Sequence, residues 1–358
     1  MLREGLNVKE DTYGKLADAM NGLPNGFPRT KSGVELEILK FIFSPEEAAL
    51  ASQLSGKYET VDEIAKRVGA TAEKLKPTLI KMANRGLVWY GEDEGVPRFR
   101  LAPFVVGVYE SQLHTMTHRF AHLVEEYFAE GGAAGIMKPQ PALHRVIPSH
   151  SAVKSEWILP YDDVKALLQS QKTFTLRDCI CRVQQDLLKS RRCSFPVRTC
   201  LSFSEYERPP GSDDVSKEEA LALLDEFEKI GLVHTVSNVV KGLSYVCNCC
   251  GCCCGILRGI NDYGIENSVA HANYYSEIDP DECAGCGLCI KRCQVKAISE
   301  RDGVTVVDRE RCIGCGLCVT GCPNGAVKLH LKPKKERVDP PFDYETWERE
   351  RLRNRGEG

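Results

Sequence analysis

The pattern of apolar and polar residues in the first third of the chain predicts short, well-capped helices. Two capping boxes, Ser44-Pro45-Glu46-Glu47 and Thr60-Val61-Asp62-Glu63, each precede apolar residues at helical spacing, so helices are expected to begin at both. A third helix is predicted from about Thr71 to Gly86. Pro77 lies within it and is expected to bend or restart it, because proline removes a backbone hydrogen bond.

The next segments predict a β-hairpin and then a long helix. Two segments typical of strands, the apolar 87–90 and the alternating 98–101, flank an acidic, glycine-containing turn. An amphipathic helix is expected from about 105 to 128, with His114, His118 and His122 on one face. Because a straight helix would spread the outer two histidines about 12 Å apart, a polar stripe is favoured over a metal site.

Three helices followed by a hairpin resemble the winged helix-turn-helix domains of bacterial regulators, here at residues 30–130 with the long helix included. In a DNA-binding member the third helix would enter the major groove. The cations available to phosphates are Lys74, Lys76, Lys81, Arg85, Arg98 and Arg100. A docking or dimerisation module is the favoured alternative, because 47 basic against 50 acidic residues leave a net charge of −3.

Length and composition fit a soluble protein of two or three domains. The chain has 358 residues and is 42% hydrophobic. Residues 1–5 lack the apolar core of a secretory signal, and no segment approaches eighteen consecutive apolar residues. We therefore expect no membrane span and a cytoplasmic location, where cysteines remain reduced.

The cysteines carry the chemistry, and all 18 of them follow residue 178. Between 275 and 332 a run with spacing C-x2-C-x2-C-x3-C occurs twice, the second time followed by Pro323. Three thiolates of such a run reach one 4Fe-4S cubane while the fourth points to the other cluster. The expected ligands are Cys283, Cys286, Cys289 and Cys322 for the first cluster, and Cys312, Cys315, Cys318 and Cys293 for the second.

This module resembles bacterial two-cluster ferredoxins over about 55 residues. Gln294 stands where the first run usually has proline, and we expect it to alter turn rigidity rather than ligation. The resemblance implies a ferredoxin-like fold and single-electron transfer.

Ten further cysteines lie between residues 140 and 265. They are Cys179, Cys181, Cys193, Cys200, Cys247, Cys249, Cys250, Cys252, Cys253 and Cys254. Six thiols within eight residues cannot all converge on one cubane, so at least one further centre is predicted, with ligands from both the Cys179 and the Cys247 groups. We expect one or two additional Fe-S clusters; a four-thiolate zinc site is the alternative. A capped helix is predicted between the groups, from Ser216 to about Ile230.

The middle segment also resembles a family of Fe-S proteins from anaerobic bacteria and archaea. The residues that match are Cys179 to Arg182, Gly231 to His234 and Cys247 to Cys254. The resemblance implies redox work in anaerobic metabolism, as an electron-transfer component.

Together these patterns predict an α+β multidomain protein. Its parts are a winged helix-turn-helix domain, a cysteine-rich α/β middle domain at 140–265, a ferredoxin-like dicluster domain at 275–332 and a charged tail at 333–358, which is a surface-wrapping arm or a frayed helix. We expect an electron-transfer subunit or partner of an anaerobic oxidoreductase. With no phosphate loop or hydrolytic triad, no catalytic residue is assigned, and flavin or metal chemistry would belong to a redox partner protein.

Three alternatives stay open, one of which is a catalytic Fe-S enzyme that acts at an open middle centre. The chain could be an Fe-S redox-responsive winged-helix transcription regulator, although nucleic acid is not the expected partner. A homodimer is also compatible with the sequence.

Overall fold

The computed structural model describes residues 11–356, which fold as two units. One unit contains the residues up to 139 and those from 351 onward, and the other contains residues 140–350. Residues 1–5, for which we expect no secretory signal, lie outside the described residues. The last two residues of the predicted tail, 357 and 358, also lie outside them. No helix within residues 11–356 is long and apolar enough to cross a membrane.

The first unit packs helices against a small antiparallel sheet. Its described helices are α1 (Thr12–Asn21), α2 (Val34–Ile42), α3 (Pro45–Ala51), α4 (Val61–Val68), α5 (Ala72–Asn84), α6 (His118–Tyr127) and α7 (Ala133–Met137). Its strands are β1 (Glu59–Thr60), β2 (Val88–Asp93) and β3 (Val96–Leu101), and β3 pairs with both of the others. Ile38, Leu79 and Phe99 are fully buried in its core.

Both predicted capping boxes are confirmed, and so is the hairpin. The Ser44 hydroxyl accepts the Glu47 N–H at 3.2 Å while the Glu47 carboxylate accepts the Ser44 N–H at 3.0 Å. The expected restart at Pro77 is wrong, because α5 runs through it. Leu75 and Leu79 are buried on either side of Pro77, and we attribute the unbroken helix to this packing, which offsets the one lost backbone bond.

The single helix expected from 105 to 128 is also wrong. The backbone leaves the helical conformation at Val105–Gly107, a 3-10 helix follows at Glu110–Thr115, and α6 begins afresh at His118. The Thr117 hydroxyl caps α6 by accepting the Phe120 N–H at 3.2 Å. The three histidines therefore do not share one helix, since His114 lies on the 3-10 helix.

The second unit is built around a six-stranded antiparallel sheet. The elements up to residue 261 are β4 (His144–Ile147), α8 (Val164–Gln169), β5 (Thr173–Asp178), α9 (Ile180–Leu187), β6 (Arg198–Ser204), β7 (Asp214–Val215), α10 (Lys217–Ile230), β8 (Val233–Ser237), β9 (Tyr245–Cys249) and α11 (Gly255–Asn261). The strand order is β4-β8-β9-β6-β5-β7. Leu224 and Phe227 of α10 are buried in the same core as Leu201 and Val246 of the sheet.

The predicted helix between the cysteine groups is confirmed as α10. Ser216 and Glu219 form its capping box, and Gly231 ends it with φ 101°. A residue with a side chain would be strained in that left-handed conformation, which explains the glycine.

Two shorter sheets and the tail complete this unit. The elements are β10 (Tyr274–Ile278), α12 (Leu288–Arg292), β11 (Ile298–Arg301), β12 (Val304–Val307), α13 (Leu317–Thr320), β13 (Val327–Leu331) and α14 (Tyr344–Arg355), which begins here. β10 pairs with β13, and β11 pairs with β12. Two parts of the tail contact the rest of the unit: Val240 and Lys241 donate N–H bonds to the Pro341 and Phe342 carbonyls, and Trp347 is buried.

Candidate metal centres

The two cysteine runs of residues 283–322 form matching loops that each lead into a short helix. Gly287 precedes α12 with φ 67°, and Gly316 precedes α13 with φ 74°. Both conformations are left-handed and favour glycine, and each places a sharp turn between the second cysteine of the run and the helix that follows. The repeat in sequence is therefore a repeat in local structure.

The fourth cysteine of the second run crosses to the first loop. A pocket is lined by Cys283, Cys286, Cys289 and Cys322, together with residues of the second run's end such as Pro323. The other four thiols are likewise electrostatic neighbours: Cys312, Cys315, Cys318 and Cys293. The pocket thus brings Cys322 of the second run together with the three thiols of the first run.

The surroundings of these thiols suit metal–sulfur ligation. Burial raises the pKa of Cys318 to about 12 and that of Cys315 well above its ordinary value, so a bound cation is needed to hold them as thiolates. The Ala297 N–H donates to Cys293 Sγ at 3.1 Å, and Ser276 Oγ lies 3.1 Å from Cys318 Sγ. Hydrogen bonds to ligand sulfurs tune the potential of a cluster. The donor set therefore fits 4Fe-4S clusters.

The ten middle cysteines gather at one end of the six-stranded sheet. Cys247 on β9 stands directly opposite Cys200 on β6, and Cys249, two residues on, shares the same sheet face. Asn248 points to the opposite face, where its Oδ1 lies 2.6 Å from His234 Nδ1. The His234 ring is therefore engaged with Asn248 on the opposite face of the sheet from Cys200, Cys247 and Cys249.

Four of these thiols form a compact set. The Sγ atoms of Cys193, Cys250, Cys252 and Cys253 all lie within 4.8 Å of one another. The Sγ–Sγ distances are 3.8 Å for Cys193–Cys250, 3.9 Å for Cys193–Cys253, 3.8 Å for Cys250–Cys252 and 3.6 Å for Cys252–Cys253. Within residues 11–356, no other three His, Cys, Asp or Glu ligand atoms come so close together.

The other six thiols form a chain of hydrogen-bonded neighbours. In spatial order they are Cys179, Cys181, Cys254, Cys249, Cys247 and Cys200. Hydrogen bonds from Cys247 and then Cys254 lower the pKa of Cys249 to about 6. Both the compact set and the chain draw on cysteines from both sequence groups.

Arg182 is the cation at the centre of this region. Its side chain is fully buried, and its electrostatic neighbours include Cys179, Cys249 and Cys250. It donates to the Asn248 carbonyl at 2.9 Å, whereas its Nε has no hydrogen-bond partner. Two other arginines near these cysteines in sequence, Arg192 and Arg198, pair with Asp262 and Asp213.

Gln294 has a role that the sequence did not reveal. Its Oε1 accepts the Gly251 N–H at 2.9 Å and its Nε2 donates to the Gly231 carbonyl at 3.0 Å. Asn261 Nδ2 donates to both the Gly251 and the Gln294 carbonyls. The residue that follows Cys293 therefore holds the loop between Cys250 and Cys252. The only sequence signal was the missing proline.

Comparison with known proteins agrees with the C-terminal geometry. Residues 276–329 match the family model of the 4Fe-4S dicluster domain. No curated protein and no solved structure matches the chain. The dicluster match and the compact cysteine set support an iron-sulfur electron-transfer role for this mixed helix-and-sheet protein.

Proposed function

We propose that the chain is a ferredoxin-type subunit or partner of an anaerobic oxidoreductase. Cys283, Cys286, Cys289 and Cys322 hold one 4Fe-4S cluster, and Cys312, Cys315, Cys318 and Cys293 hold the second. When bound, the clusters supply one-electron redox chemistry. The observation that carries the proposal is the pocket in which Cys322 joins the three thiols of the other run, because this crossover is what a two-cluster domain needs.

The pocket lined by Cys283, Cys286, Cys289 and Cys322 supplies the contact face for a redox partner protein. Cys286 is exposed, and Leu288 beside it exposes 41% of its surface, which is high for a leucine. Around the same thiols, Ile298 and Val327 are buried and exclude water. An exposed ligand next to an apolar side chain provides a short route for an electron and a surface that a partner can cover.

The middle domain, residues 140–265, holds at least one further metal centre. This centre serves as a second site at which electrons enter or leave the protein. The link is Gln294, which joins the loop after Cys293 to the loop at Gly251 by direct hydrogen bonds. All 18 cysteines are free thiols, as metal ligation in a reducing compartment such as the cytoplasm requires.

The first unit, with a winged-helix domain at 30–130, serves docking or dimerisation rather than DNA binding. Helices α3 to α5 followed by the β2–β3 hairpin have the order of a winged helix. The hairpin tip carries Glu92, Asp93 and Glu94, which would repel phosphates. Arg85 pairs with Glu47, Arg98 pairs with Asp93, and Arg100 is buried over Trp89.

A reductive titration of the anaerobically purified full chain tests this function. We expect reversible uptake of at least two electrons per chain, with loss of visible absorbance and the paramagnetic signals of reduced clusters. Cys286→Ser and Cys315→Ser should each cripple one cluster while the other persists. A chain that takes up no electrons reversibly would contradict the proposal.

A further inference from the structure

We propose that Cys193, Cys250, Cys252 and Cys253 bind a single tetrahedral metal ion, Zn²⁺ or Fe²⁺, and not an Fe-S cubane. The inference deepens the proposed function, since it specifies one of the additional centres of the middle domain. The inference rests on the compact set of four thiols, in which one ligand comes from the Cys179 group and three come from the Cys247 group.

The distances between the four sulfurs decide whether the site holds one metal ion or a cluster of several. A metal–sulfur bond of about 2.3 Å in a tetrahedron places the sulfurs about 3.8 Å apart. The four measured separations are 3.6, 3.8, 3.8 and 3.9 Å. Four irons and four sulfides would push the thiolates of a cubane well beyond the 4.8 Å that encloses this set. The cysteines of the ferredoxin loops, by contrast, form no set that compact among the described residues.

The buried charge of Arg182 requires anionic sulfur nearby. This guanidinium is fully buried and donates to the neutral Thr199 hydroxyl and Asn248 carbonyl, and no described carboxylate forms an ion pair with it. An isolated buried cation is costly, whereas four thiolates around a divalent ion carry a net charge of −2 that it can offset. Cys250 is among its electrostatic neighbours. Neutral thiols would leave the arginine uncompensated.

The location of the set indicates what the ion does. Cys193 lies in residues 188–197, which have no helix or strand, and the other three ligands lie in the turn between β9 and α11. A metal ion therefore ties an irregular segment to the sheet. A closed set of four thiolates is what structural Zn²⁺ takes, and Fe²⁺ accepts the same donors.

The test counts zinc, iron and inorganic sulfide in the full chain, purified anaerobically from medium that contains both metals. Every 4Fe-4S cubane contributes equal iron and sulfide, so the excess of total metal over sulfide counts single ions. We expect an excess of one metal ion per chain. X-ray absorption at the zinc edge should then show four sulfurs at about 2.3 Å and no neighbouring metal. If the ion is iron, the Mössbauer difference between the wild type and a ligand variant should show one tetrathiolate Fe²⁺ site.

Cys252→Ser is the ligand variant of choice, because Cys252 is half-buried, whereas Cys250 and Cys253 are buried. It should lose one metal ion and no sulfide, while the control Cys286→Ser loses iron together with sulfide. Equal metal and sulfide in the wild type would overturn the inference, as would loss of about four irons with four sulfides from Cys252→Ser. Absence of sulfide altogether would instead contradict the proposed function. The two failures are thus distinguishable, and the wild-type count stands even if the variant does not fold.

Discussion

Gly251→Ala should dismantle the compact cysteine set from within. A Cβ at this position would meet the Gln294 carbonyl oxygen at 1.8 Å, the Asn261 amide nitrogen at 2.6 Å and the Gln294 carbonyl carbon at 2.9 Å. Reaching an ordinary contact of 3.4 Å requires a backbone shift of about 1.6 Å. Cys250 and Cys252 flank the glycine, and their sulfurs stand only 3.8 Å apart, so such a shift opens the set.

The expected cost combines crowding with lost hydrogen bonds. Overpacking costs about 1–3 kcal/mol, and each of the two bonds at Gly251 contributes about 1 kcal/mol. The sum, about 3–5 kcal/mol, lowers the thermal midpoint of the second unit by on the order of 10 °C. The assay is thermal unfolding followed by circular dichroism under anaerobic conditions, together with metal analysis of the purified variant.

Gly264→Ala is the matched control for Gly251→Ala. Gly264 has φ +63° but nothing within 4 Å of its added Cβ, so the substitution costs only the strain of a left-handed alanine, about 1–2 kcal/mol. It should keep its full metal content. If Gly251→Ala retained the wild-type midpoint and metal, the close packing of Gln294 on the cysteine loop would be refuted.

Three further predictions concern other parts of the molecule. Arg182→Met should release metal to a chelator at least about tenfold faster than wild type, because the substitution removes the buried counter-charge. The control Arg177→Met, at an exposed position, should release metal at the wild-type rate. Equal release rates for Arg182→Met and wild type would contradict this. Burial lowers the pKa of His144 to about 4, below the 6.5 of an unfolded chain, so its contribution to stability is present above pH 6.5 and lost as pH falls toward 4. Denaturant unfolding should show wild type losing about 2 kcal/mol more than His144→Gln between pH 7.5 and 5, and parallel losses would disprove the cause. The exposed lysines of α5 are Lys74, Lys76 and Lys81, and replacing them by alanine should leave electron uptake unchanged. In fluorescence anisotropy the change should reduce only a weak, salt-sensitive affinity for duplex DNA. Sequence-specific DNA binding would instead favour a regulator.

Local signals in the sequence predicted local structure well. The capping boxes at Ser44, Thr60 and Ser216 begin helices as expected, because each satisfies orphan backbone donors within four residues. The cysteine runs likewise predicted their own loops, since the spacing of ligands on a tight turn is a local property.

Features that depend on long-range packing could not be predicted in the same way. Pro77 remains inside α5 between buried neighbours, and no local rule registers that burial. The contact of Cys200 with Cys247 follows from the register of β6 on β9, which places these two cysteines opposite each other. The contact of Gln294 with Gly251 spans 43 residues. Only the folded sheet and loops bring these groups together.

The central claim is that the chain carries two 4Fe-4S clusters on the eight cysteines from Cys283 to Cys322. Mössbauer spectroscopy of the ⁵⁷Fe-labelled full chain, combined with inorganic sulfide analysis, tests it most directly. We expect the signature of 4Fe-4S clusters, with at least eight irons and eight sulfides per chain. Zinc without sulfide in the purified protein, or iron confined to single tetrathiolate sites, would contradict it.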